Sequence, residues 1–103
     1  MTPVRYHEAA EAELLMEIGY LEDRSRGLGR RFHEPIRQSE GRIASFPESA
    51  EEIQPGIRKV SLRSFRYSLV YSIESDGLLV LAVAHDSRRP GYWVARATPA
   101  GIE

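Results

Sequence analysis

Cysteine is absent from the 103 residues, which excludes disulfides and thiolate metal sites and suits a reducing compartment. Lysine is nearly absent as well. Thirteen of the fourteen cationic residues are arginine, a bias toward planar, two-pronged contacts with phosphate or carboxylate. No apolar run approaches membrane-spanning length, and Met1 to Tyr6 lacks the basic and hydrophobic regions of a signal peptide, so a cytoplasmic protein is expected. Neither HExxH, CxxC, a P-loop nor a glycine-rich dinucleotide fingerprint occurs, which leaves metal sites and nucleotide cofactors without support. The net charge of −1 is far from a strong nucleic-acid footprint, but it is unevenly spread. Residues 1–55 hold 7 Lys+Arg and 11 Asp+Glu (−4), whereas residues 56–103 hold 7 and 4 (+3), so the back half is the basic end. What remains, 42% hydrophobic and 28% charged, is enough for one small domain around a single core.

The organising stretch is Phe65 to Asp86, FRYSLVYSIESDGLLVLAVAHD. Phe65, Tyr67, Leu69, Tyr71 and Ile73 recur at every second position, and Asp76-Gly77 separates them from the run Leu78 to His85, which describes a β-hairpin. An Asp-Gly type I′ turn would set Ser75 opposite Leu78, Ile73 opposite Val80, Tyr71 opposite Ala82 and Leu69 opposite Ala84. On that register Tyr67, Leu69, Tyr71, Val80 and Ala82 form the core face. The other face is mixed, with Arg66, Ser68, Ser72 and His85 beside Val70, Leu81 and Val83, and needs a cover or a partner.

Before the hairpin, Pro3 to Tyr6 reads as a short edge strand, because proline cannot donate a ladder hydrogen bond. Residues 7–26 carry apolar side chains at Ala10, Leu14, Leu15, Met16, Ile18 and Leu21, the spacing of an amphipathic helix. Gly19 inside it suggests close approach of a second helix. That helix is expected over residues 28–46, on Leu28, Phe32, Ile36, Ile43 and Phe46, with a kink or restart at Pro35 and a stop at Pro47. Glu48 to Gly56 reads as a polar connection and Ile57 to Leu62 as a strand. A tight turn at Arg63-Ser64 would then place Lys59, Ser68 and His85 in one row on the mixed face, with Ser61 and Arg66 in the next. A one-residue slip would reverse a strand's faces. In the tail, Pro90-Gly91 forces a turn before Tyr92 and Trp93, two aromatics suited to packing on the sheet, and residues 94–103 read as a flexible end. The fold class is α+β, β-α-α-β-β-β: a helix hairpin on one face of a mainly antiparallel four-stranded sheet.

The order of these elements, together with YHEAAEAELLMEIGYLEDRSRGLGRRF, IASFPES, PGIRKVSLRSFRYSLVYSIE and VLAVAHDSRRPGYW, resembles the RelE/ParE superfamily of toxins from type II toxin–antitoxin systems over residues 4–93, closest to the ParE-like, plasmid-stabilisation branch. The resemblance implies a cognate antitoxin as partner and one of two activities. ParE-like members are described as poisoning DNA gyrase without a nuclease site; RelE-like members are ribosome-dependent mRNA endoribonucleases. A non-toxic, protein-binding relative is a third reading.

For a nuclease, His85 is the candidate acid or base, Lys59, Arg63, Arg66 and Arg88 would hold phosphate, and Tyr92 matches the tyrosine near the end of RelE-like nucleases. The lysine cluster of RelE is reduced here to Lys59, and Asp86 stands where an arginine follows the last strand. His85 would otherwise anchor the tail. For target binding the candidates are Arg88, Arg89, Tyr92 and Trp93. Antitoxin binding would use Leu15, Met16 and Tyr20 on the first helix and Val70, Leu81 and Val83 on the mixed face.

Overall fold

The computed structural model describes residues 2–97. A first strand β1 (Val4–Tyr6) leads into two helices, α1 (Glu8–Arg24) and α2 (Leu28–Ser45). Four strands follow: β2 (Glu51–Gln54), β3 (Ile57–Ser61), β4 (Tyr67–Glu74) and β5 (Gly77–His85), then a single 3-10 turn at Val94–Arg96. They form one sheet in the order β1-β5-β4-β3-β2, antiparallel throughout except for the parallel β1–β5 pair. Among the described residues no helix is long and apolar enough to cross a membrane.

Local chemistry accounts for the helix ends. The His7 ring caps α1, its Nδ1 accepting the Ala9 N–H at 3.0 Å, and Glu8 and Glu11 place negative charge in the first turn, where the helix dipole favours it. Gly27, at φ 85°, reverses the chain into α2. The Glu22 carboxylate then accepts the N–H groups of Gly27 and Gly29 at 3.0–3.1 Å, and these two bonds hold its pKa below the usual carboxylate range. The helices cross closely at Gly29, not at Gly19. A Cβ on Gly29 would lie 2.7 Å from the Ile18 carbonyl oxygen, whereas Gly19 has nothing within 4 Å and is exposed. Helix α2 runs unbroken through Pro35, with no restart there.

Between the helices and the sheet lie Ala10, Leu14, Phe32, Ile36, Ile43, Leu69, Tyr71, Leu78 and Val80. Phe32 is fully buried and meets Phe65 and Tyr67 edge-on at 5.2 and 5.0 Å; burying such a side chain stabilises by about 1.5–3 kcal/mol. Tyr71 donates its hydroxyl to the Pro47 carbonyl at 2.6 Å, tying the end of α2 to the sheet.

Three expectations are corrected by the strand pairing. The sheet has five strands: Glu51–Gln54 pairs with β3 through the Pro55-Gly56 turn, where Gly56 adopts φ 78°. The hairpin turns on Ser75-Asp76, with Glu74 opposite Gly77 and Tyr71 opposite Val80. Gly77 serves β1 instead: a Cβ there would lie 2.6 Å from the Pro3 carbonyl oxygen, which accepts the Leu78 N–H at 2.8 Å. Finally, Val70 pairs with Ala82 while Tyr71 pairs with Val80, so Leu81 is an unpaired bulge residue. Beyond it the faces of β5 exchange. Val83 and His85 turn to the helix side, and Ala82 and Ala84 to the other, the reverse of the alternation expected from an unbroken strand.

Candidate functional site: the basic end of the sheet and its tail

The sheet face away from the helices is covered by the chain's own tail. Trp93, 5% exposed, seals a second apolar cluster of Ile57, Val70, Leu79, Leu81, Ala82 and Ala84, with Tyr92 packed beside it. Val70 and Leu81 are therefore fully buried, and neither they nor Val83, inside the helix-side core, offers the open docking surface expected of them.

Polar contacts lock this cover in place. Two side chains meet backbone groups of β5 at and just past the bulge, beyond the end of the β1 pairing: Glu13 Oε1 accepts the Val83 N–H at 3.0 Å, and Arg96 Nη1 donates to the Leu81 carbonyl at 2.9 Å. The same two residues form an ion pair at 2.9 Å, each about one-fifth exposed. Arg88 and Arg96 stand over the Tyr92 ring at 4.0 and 5.1 Å, and burial pushes its phenol pKa up. The segment expected to be loose thus starts as an anchored turn; residues 98–103 lie outside the described residues. Glu13 and Arg96 had not been singled out from the sequence. The available signal was Glu13 itself, a carboxylate beside Leu14 and three positions after Ala10 on the buried stripe of α1.

The expected row of Lys59, Ser68 and His85 does not form. Ser68 lies between Ser61 and Ala84, while Lys59 pairs with Val70 one step along. A small recess of about 60 Å³ does gather Lys59, Ser68, Asp86 and Arg88 beneath Trp93. Ser68 donates its hydroxyl to Asp86 Oδ1 at 3.0 Å, so a fixed carboxylate shares the recess with the two cations. His85 ends β5 at its rim, but its ring packs edge-on to Tyr67 at 4.9 Å, toward the helices. Its Nδ1 accepts the Ser87 N–H at 3.0 Å, the anchoring role that the sequence left open. Arg63, Arg66 and Arg89 are exposed around this end. On α1, Leu15, Met16 and Tyr20 are 61%, 75% and 54% exposed, an apolar patch that core packing does not explain. Among the described residues no group of three His, Asp or Glu could hold a metal ion.

Solved structures share this arrangement of a helix pair on one side of a mainly antiparallel sheet. The toxin of a chromosomal ParDE system from P. aeruginosa superposes with a TM-score of 0.69 at 13% identity, over 82% of this chain and 96% of that one. The isolated E. coli RelE toxin superposes at 0.63 with 23% identity, over 93% and 96%. None of the curated proteins matches the chain. The family model described as the ParE toxin of the type II toxin–antitoxin system parDE matches residues 4–90, and the chain belongs to this family. Membership implies an antitoxin partner.

Proposed function

We propose that the protein is the growth-inhibiting, cytoplasmic toxin of a type II pair and acts by binding an essential macromolecular target, DNA gyrase being favoured, until a cognate antitoxin neutralises it. The observation that carries this reading is the recess at the basic end. Its volume of about 60 Å³ is far below the roughly 300–1,000 Å³ typical of ligand sites, and Asp86 lines it, where a carboxylate repels an RNA backbone. A metal-free ribonuclease needs an acid, a base and cations converging on one phosphate. Here His85 has one ring nitrogen engaged by Ser87 and its ring against Tyr67, and Tyr92 is enclosed by Arg88 and Arg96. Arg88 and Arg89, both exposed, with the half-buried Tyr92 beside them instead suit a contact surface, whereas Trp93 is buried and supports that surface from within; the patch of Leu15, Met16 and Tyr20 suits the antitoxin.

Gyrase supercoiling and translation, assayed side by side with the purified protein, test the target. Inhibition of supercoiling without cleavage of messenger RNA is expected. Alanine substitution of Arg88, Arg89 and Tyr92 should lower growth inhibition in graded steps, as at an interface, whereas Trp93→Ala should act by loosening the tail cover. Complete loss in His85→Ala alone, together with loss of mRNA cleavage in a translating extract, would replace this reading with the nuclease one.

A further inference from the structure

The exposed large apolar side chains among the described residues fall mainly in two places, and only one has been used so far. The second lies at the opposite end of the β4–β5 hairpin from the arginines. There the end of α2, the Ser75-Asp76 turn and the start of β1 enclose a groove of about 850 Å³. Its apolar lining includes Phe46 and Ile73, 64% and 45% exposed, together with Pro3 and Pro47. All the ionisable residues lining it are acidic: Glu48, Glu74 and Asp76. Arg5 pairs with Asp76 at 3.3 Å on the surface, and Glu74 accepts the Ser72 hydroxyl, so Glu48 and Glu74 have no cationic partner among the described residues.

An apolar floor of this size fits the roughly 300–1,000 Å³ of sites that take a specific ligand, and the carboxylates around it decide the sign of the occupant. We propose that this groove is a docking site for a cationic peptide segment of a partner protein, one that inserts apolar or aromatic side chains between Phe46 and Ile73 and sets arginine or lysine against Glu48 and Glu74. The charge complementarity names the occupant. An acidic segment would meet two unpaired carboxylates, and a neutral apolar one would leave them facing it unpartnered. The site is separate from the α1 patch and from the basic end, and does not depend on which target the protein acts on.

The test is fluorescence anisotropy of the full chain with a labelled hexapeptide, RLFRLR, and its acidic counterpart, ELFELE. RLFRLR should bind and weaken with added salt, and ELFELE should not bind. Phe46→Ser, and separately Glu48→Lys, should each weaken RLFRLR by about tenfold or more, equivalent to about 1.4 kcal/mol. Leu15→Ala/Met16→Ala, on the other patch, should leave it unchanged. Phe46 and Glu48 are exposed, so circular dichroism should show both variants folded. Absence of RLFRLR binding, equal binding of the two peptides, or equal affinity in wild type, Phe46→Ser and Glu48→Lys would overturn the proposal.

Discussion

Replacing Glu13 with alanine removes one carboxylate from two bonds at once, the 3.0 Å contact with the Val83 amide and the 2.9 Å contact with Arg96. A hydrogen bond to a charged group contributes about 1.5–3 kcal/mol, and part of that is the cost of leaving without a partner the Val83 N–H that Glu13 meets two residues past the bulge. The ion pair adds less, because both side chains retain about one-fifth of their exposure to screening water. The expected loss is about 2–3 kcal/mol, which for a domain of this size lowers the melting temperature by about 10–20 °C. Glu13→Gln keeps an oxygen for Val83 and loses only the ion pair, so its cost should be about 1 kcal/mol or less. The chain contains one tryptophan, so tryptophan fluorescence, excited selectively over the tyrosines, reports the tail alone. Urea unfolding gives the free energies, and the emission of Trp93 in the native baseline gives the cover. In Glu13→Ala and Arg96→Ala that emission should shift to the red as the buried indole meets water. A Glu13→Ala loss below about 0.5 kcal/mol, the range of ordinary surface substitutions, would refute the bulge-clamp argument.

The two helical glycines should respond in opposite senses. Gly29→Ala drives a methyl group to 2.7 Å from the Ile18 carbonyl oxygen and should cost about 1–3 kcal/mol, while Gly19→Ala meets nothing within 4 Å and should gain about 1 kcal/mol in thermal melts. Glu22 supplies a pH signature. Its pKa is lower in the folded than in the unfolded chain, so its contribution is fully present above the unfolded value and is lost as pH falls through the folded one; Glu22→Gln should flatten that acid limb of urea stability curves. On the exposed patch, Leu15→Ser, Met16→Ser and Tyr20→Ser should leave stability within about 0.5 kcal/mol and weaken antitoxin binding by isothermal calorimetry.

The sequence by itself determined the order of every element except β2, both helices, the hairpin, the residues of the helix-side core on β4 and the family. These follow from signals confined to short windows: apolar spacing near 3.6 over residues 8–24 and 28–45, strict alternation from Tyr67 to Ile73, and punctuation at Gly27, Pro47 and Gly56. The strand β2 was illegible because Glu51, Glu52 and Gln54 have little β-propensity; an edge strand needs only half its backbone paired, and pairing with β3 suffices. The bulge at Leu81 was illegible for the opposite reason. Leu78 to Ala84 is apolar without interruption, since both faces are covered, so one inserted residue leaves no break in any pattern. Only the tertiary structure decided which way Val83 and His85 face, because that depends on contacts between residues far apart in the chain: Glu13 with Val83, Arg96 with Leu81, and Trp93 over Val70. Such pairings carry no local sequence signature, and they turned an expected open basic row into a covered face with an anchoring histidine at its end.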